Sequence, residues 1–247
     1  MINDKLNSKI CLVFQPLGIG DVFFCQAIGK HFIEKGYRVV WPLASHIMYI
    51  TDYIETYGIE YVDRESDFPK KDFYVEQNPL VLEEDFVFLP LANASHRVPN
   101  SSLMYAKYEL VGLDFKIWKD SFTIKRNVER ENNLYYNVLG LKEDEEYVFL
   151  NRKWGTPPYY NEAPFSVDTD LKTVEMQFIP GDNIFDWLKV IENASMIVTV
   201  DTSYLLLMEK LDNIKSTAFY CYPRSGTLDF VPIIEKMYSI DWQYFVK

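Results

Sequence analysis

The chain has 247 residues, enough for one large domain or two small ones, and a formal net charge of −11 that excludes nucleic acid as a bulk partner. Its aromatic content of 16%, with 18 Tyr and 17 Phe, reads mainly as core packing, although Tyr and Trp also suit stacking on bases and sugars. Cys11, Cys25 and Cys221 are odd in number, far apart and set among apolar residues, which excludes a disulfide or zinc framework and reads as reduced thiols of an intracellular protein.

The start, Met1 to Lys9, is polar and lacks the apolar stretch of a signal peptide. No apolar run is long enough to span a bilayer, so a cytoplasmic chain with no transmembrane segment is expected. Ile10 to Phe14 reads as a buried strand, and a helix is predicted from near Asp21 to about Lys35. Between them lies Gln15-Pro16-Leu17-Gly18-Ile19-Gly20, whose glycines allow a tight turn and close approach to a ligand. In an open α/β sheet, such a loop lies at the carboxyl end of a strand, where ligands bind. Asp21 then falls at the helix N-terminus, either as a plain cap or as a functional carboxylate.

Tyr37 to Leu43 is a second strand, Ser45 to Tyr57 a helix and Ile59 to Val62 a third strand. Residues 63–84 are polar and show no period. Strand character returns at Asp85 to Leu91, and Ser101 to Val111 reads as a helix. Residues 115–146 are charged and read as a linker with some helix, dividing the chain into domains at 1–120 and 121–247. Tyr147 to Leu150 opens the second half as a buried strand, and 151–170, with three prolines and Gly155, reads as a long loop. Val174 to Phe178 is a strand, Ile184 to Asn193 an amphipathic helix and Ser195 to Val200 a strand buried on both sides. The chain then enters Asp201-Thr202-Ser203, a helix over Tyr204 to Leu211 and a last strand over Thr217 to Tyr222. Alternating strands and helices in both halves predict an α/β protein of two Rossmann-like parallel-sheet domains facing a cleft.

A strand running into Asp201-Thr202-Ser203 offers hydroxyls and N–H groups that suit a phosphate, and equally suit a simple helix cap. Arg152, Lys153 and Arg224 follow strand ends on the ligand side of the second sheet, as phosphate-binding cations or as solvated loop charges. Asp168-Thr169-Asp170 follows no apolar strand and reads as a solvated turn. His31 is structural within the first helix, and His96 follows a strand end. The histidines form no metal-ligand spacing, and no metal is expected.

Two of these segments together resemble the heptosyltransferase-like glycosyltransferases. The core Leu17-Gly18-Ile19-Gly20-Asp21-Val22 is similar to the family's opening loop. The span Gly181 to Leu211 is similar to its C-terminal signature, where a strand leads to an Asp-Ser/Thr-Gly-x-x-His loop. The resemblance implies the GT-B architecture, a C-terminal domain that holds a nucleotide-sugar donor and an N-terminal domain facing a glycan or other hydroxyl acceptor. It makes Asp21 the general base, and Gly18 and Gly20 beside it are expected to contact the ligand through their backbone. It assigns Arg152, Lys153, Asp201, Thr202, Ser203 and Arg224 to the donor diphosphate. The implied activity is metal-independent hexosyl or heptosyl transfer with no cofactor beyond the nucleotide-sugar co-substrate. The chain departs from the pattern at Ser203, in place of Gly, and at Leu206, in place of His. A non-catalytic nucleotide- or sugar-binding protein, or an epimerase or hydrolase on the same scaffold, remains open beside transfer.

Overall fold

The computed structural model describes residues 9–98, 101–156, 159–229 and 231–246. Most of the polar N-terminal segment, together with Pro157 and Pro158, lies outside the described residues. The chain divides into two compact units, Met1–Lys125 and Arg126–Lys247. Among the described residues, no helix is long and apolar enough to cross a membrane.

In the first unit, β1 (Ile10–Val13) leads into the 16-residue α1 (Ile19–Glu34), then β2 (Arg38–Leu43), β3 (Glu60–Asp63), a short α2 (Lys71–Val75), β4 (Val81–Leu82), β5 (Phe86–Leu89) and α3 (Leu103–Glu109). The sheet order is β3-β2-β1-β5-β4. β1 is paired in parallel with both β2 and β5, and β4 runs antiparallel at the edge. The chain therefore winds outward from β1 through β2 and β3, then returns to the other side of β1. The gap between β1 and β5 is the point where the winding reverses, the place at which open α/β sheets bind ligands. Cys11, Leu12 and Val13 are fully buried, as a parallel strand covered on both faces requires.

The second unit contains α4 (Val128–Asn132), β6 (Tyr147–Asn151), β7 (Lys153–Thr156), β8 (Tyr159–Glu162), β9 (Lys172–Glu175), α5 (Leu188–Asn193), β10 (Met196–Val200), α6 (Ser203–Met208), β11 (Phe219–Tyr222), α7 (Val231–Ile234) and β12 (Gln243–Tyr244). Its main sheet, ordered β12-β11-β10-β6-β9, is parallel throughout. Here the winding reverses between β6 and β10.

Several segments differ from their sequence reading. The helix expected over Ser45 to Tyr57 is a 3₁₀ segment ending at Asp52. The polar stretch 63–84 contributes α2 and β4. The expected long loop 151–170 contains the antiparallel β7–β8 hairpin, which Trp154 anchors on the core cluster of Val148, Leu150, Val198 and Val200. The division between the two units, at 125/126, falls inside the expected linker 115–146, but the segment is packed and not a free connection. Trp118 and Phe122 are fully buried, Phe122 stacks on Phe23 of α1 at 4.5 Å, and Trp118 lies 5.8 Å from Phe24. Further on, Arg126 bridges Glu131 and Glu192, and Arg130 forks onto buried Asp186 at 2.7 and 2.8 Å. Charges that read as solvated are thus tied into ion pairs that fix α4 to the turn before α5.

Trp118→Ala should lower unfolding free energy by about 3–5 kcal/mol, the usual cost of emptying a buried aromatic site. Urea denaturation measures it. A change within about 0.5 kcal/mol, as for a surface substitution, would contradict the packing of this segment.

Candidate functional site

The loop after β1 is held from both sides. Phe14 donates its N–H to Leu89 O and accepts from Ala92 N, while Pro16 O accepts from Ala44 N at 2.9 Å. Gln15 continues this lacing: its carbonyl accepts Trp41 Nε1 at 3.0 Å and its Nε2 donates to Leu17 O at 2.6 Å. The turn then needs Gly18, whose φ is +83°. A Cβ built there would lie 2.2 Å from Asp21 Oδ2. Gly20 has no such role, because α1 already begins at Ile19 and Gly20 falls inside its first turn.

Asp21 lies in that first turn, yet no side-chain hydrogen bond caps α1. Its Oδ1 instead meets Lys107 Nζ at 2.5 Å, and the same ammonium donates to Gln15 Oε1 at 2.5 Å. Lys107 comes from α3, whose Tyr108 packs edge-on against Phe24 of α1 at 4.9 Å and donates its hydroxyl to Phe24 O. The lysine side chain is 1% exposed and that of Asp21 is 25% exposed. One end of this pair is sealed in the unit and the other reaches the surface. Cys25, close by on α1, has its thiol pushed up to about 12 by burial, so it is no nucleophile.

In the second unit, Asn151 closes β6 and is fully buried. Its Nδ2 donates to Thr199 Oγ1 at 3.1 Å and reaches Thr202 Oγ1 at 3.5 Å, while its Oδ1 accepts Lys153 N at 3.2 Å. It thereby links the ends of β6 and β10 to the start of the hairpin. Thr202 is the N-cap of α6, with Oγ1 accepting Tyr204 N, and Ser203 is that helix's first residue. The helix has only six residues, so what it offers an anion is its first-turn hydroxyls and N–H groups more than a long macrodipole. Leu206 is buried on it.

Asp201 accepts Arg224 N at 2.6 Å and faces Arg224 Nε at 3.4 Å. Burial raises the pKa of its carboxyl above the usual range, outweighing the opposing pull of Arg224. Arg224 remains more than half exposed. Arg152, expected to face phosphate, is neutralised by Glu162 at 3.0 Å and Glu175 at 2.8 Å, joining the hairpin to the end of β9. These three residues, with Lys153 and Gln177, line an open polar cavity of about 310 Å³. Lys153 has no ion pair among the described residues. Asp168 and Asp170 are exposed in a loop, and no group of three or more His, Cys, Asp or Glu among the described residues is placed to hold a metal. His31 is partly buried near the end of α1, and His96 is exposed after β5.

Sequence reasoning missed Lys107, Gln15 and Asn151. Gln15 and Asn151 carried a usable signal, as polar residues that end buried strand runs at the ligand side. Lys107 carried none, since its partner Asp21 is 86 residues away.

No protein-family sequence model matches the chain, and neither does any curated protein sequence. Among solved structures, the glycosyl transferase family 9 protein of Veillonella parvula superposes with a TM-score of 0.50 at 9% identity, over 95% of this chain and 90% of that one. The dodecameric iron-containing heptosyltransferase TibC, in complex with ADP-D-β-D-heptose, gives 0.44 at 12% identity, over 86% of this chain. TibC from enterotoxigenic E. coli gives 0.43 at 10% identity, over 88%. The chain spans 58% of the length of TibC. The molecule is thus an α/β protein with doubly wound parallel sheets. Its fold is the one seen in the Veillonella glycosyl transferase, and the resemblance first carried by two short motifs extends to that fold.

Two predictions follow from the charge placement. Asp21→Ala strands a buried ammonium and should destabilise by about 3–5 kcal/mol, whereas Lys107→Met leaves a carboxylate that water reaches and should cost less. Chemical denaturation of both variants gives the order, and the reverse order would contradict this burial asymmetry. A raised carboxyl pKa in the folded state stabilises fully below the unfolded value, and that contribution is lost as pH rises through the folded value. Asp201→Asn should therefore gain melting temperature over wild type at pH 7, with the gain shrinking toward pH 4. A gap independent of pH would show that burial does not dominate at Asp201.

Proposed function

We propose that this chain is a glycosyltransferase of the GT-B type, moving a sugar from a nucleotide-sugar donor to a hydroxyl acceptor. The unit ending at Lys125 takes the acceptor and the unit from Arg126 holds the donor. The observation that carries the reading is Asp21. Its carboxylate stands at the carboxyl end of β1, where the winding reverses, with Oδ1 on Lys107 and Oδ2 over Gly18 without a hydrogen-bond partner among the described residues. A partly exposed carboxylate so held can accept the proton of an attacking hydroxyl. The likeness of fold to a family 9 glycosyl transferase supports the class of reaction.

On the donor side the diphosphate gathers charge as the glycosidic bond breaks, so cations and aligned donors lower the barrier. Lys153, Arg224 and the hydroxyls of Thr202 and Ser203 supply them in this proposal, with Asp201 orienting Arg224 and Arg152 bracing the strand that carries Lys153. Metal independence belongs to the proposal, and transfer should persist in chelator; activity lost in chelator and restored by manganese would contradict it. Leu206 favours a second reading, a non-catalytic nucleotide- or sugar-binding protein.

Asp21→Asn keeps the shape and an acceptor for Lys107 but removes the basic oxygen. Turnover should fall about 10²–10⁴-fold, the usual worth of general-base help, while nucleoside diphosphate affinity barely moves. Initial rates and thermal-shift titrations measure the two. Normal turnover would remove Asp21 from the chemistry, and greatly weakened donor binding would assign it to the donor site.

A further inference from the structure

The ammonium of Lys107 is sealed inside the first unit and touches two oxygens, Asp21 Oδ1 and Gln15 Oε1, each at 2.5 Å. Buried ion pairs are poor stabilisers beside well-packed apolar residues of similar volume. The Lys107 side chain is itself 1% exposed, so its charge is answered by these two oxygens and not by water. What a lysine adds there is direction.

Asp21 is constrained at both oxygens. Oδ1 is drawn inward by Lys107, and Oδ2 occupies the space that only a glycine at position 18 leaves open. Gln15 holds the ammonium from the other side, and is itself fixed through Leu17 O and Trp41 Nε1.

We infer that Lys107 is a positioning residue for the transfer reaction: by anchoring Oδ1 of Asp21 it holds Oδ2 toward the acceptor hydroxyl. The inference rests on Asp21 being the general base. In the step, the acceptor oxygen bonds to the anomeric carbon and its proton passes to Oδ2. The bond from that carbon to the diphosphate breaks with its electron pair on the leaving group. Lys107 keeps its protons and exchanges none with substrate.

The test compares kcat and donor KM for Lys107→Met, Asp21→Asn and the double variant. A misplaced catalytic group loses on the order of 10²-fold for about 1 Å, so Lys107→Met should lower kcat about 10–100-fold with donor KM changed less than about twofold. In the Asp21→Asn background, the same change should add less than about twofold, because the group it positions is already gone. Unchanged kcat in Lys107→Met, or full multiplication of the two effects, overturns the inference while leaving Asp21 as base. Wild-type turnover in Asp21→Asn instead defeats the reading of Asp21 on which it rests.

Two further measurements decide the matter if Lys107→Met folds poorly or turnover is slow to be found. Gly18→Ala leaves Lys107 in place but puts a methyl where Oδ2 lies, and its crystal structure should show the carboxylate displaced, with kcat reduced by the same order. A crystal structure of Lys107→Met should show Oδ2 no longer over Gly18. A carboxylate unmoved in either structure overturns the inference without reference to activity.

Discussion

A lysine ammonium cannot be buried without partners, and the loop between β1 and α1 answers to that constraint at Lys107. Its two acceptors come from opposite ends of one loop, Gln15 just past β1 and Asp21 in the first turn of α1. Moving either would uncover the charge, so the loop has little freedom. α3 meets α1 where Tyr108 packs on Phe24, and Trp118 and Phe122 pack on Phe24 and Phe23 of the same helix. Packing thus leaves the pair one-sided: the lysine is sealed inside, and the aspartate, a quarter exposed, carries Oδ2 above a glycine.

The second unit solves a related problem with a neutral group. Asn151 ends the first strand of its sheet as Gln15 follows the first strand of the other, and both amides lie where the winding reverses. An amide offers donors and an acceptor together, so it can tie neighbouring strand ends without introducing charge. Asn151 uses both functions, toward Thr199 and Thr202 and toward Lys153 N. The positive charge is then distributed around it. Arg152 is balanced by two glutamates and Arg224 by one aspartate, whereas Lys153 has no counter-ion among the described residues.

The strands were legible because parallel strands covered on both faces read as unbroken apolar runs. Ile10 to Phe14 and Ser195 to Val200 were each placed to within a residue. The loop after β1 and the turn at Asp201 could be found for the same reason, as polar breaks at the ends of such runs. The hairpin at β7 and β8 was hidden by prolines that suggested loop, although Trp154 was available to anchor it. The stretch 115–146 does hold the division between the units, but its packing is hidden because its charges look solvated in one dimension, and only folding brings Arg126 and Arg130 to Glu192 and Asp186. Lys107 was invisible for the deepest reason. A lysine between alanine and tyrosine in a helix reads as surface, and its burial depends on a carboxylate supplied by a distant segment.

The proposed sugar transfer is tested by release of nucleoside diphosphate from a panel of nucleotide-sugars, with and without a mixture of hydroxyl-bearing acceptors. A glycosyltransferase should release it from at least one donor, in dependence on acceptor, and yield a product heavier than the acceptor by one sugar. Release of free sugar that is indifferent to acceptor would contradict it in favour of hydrolysis. Donor binding with no release under any acceptor would contradict it in favour of a binding protein.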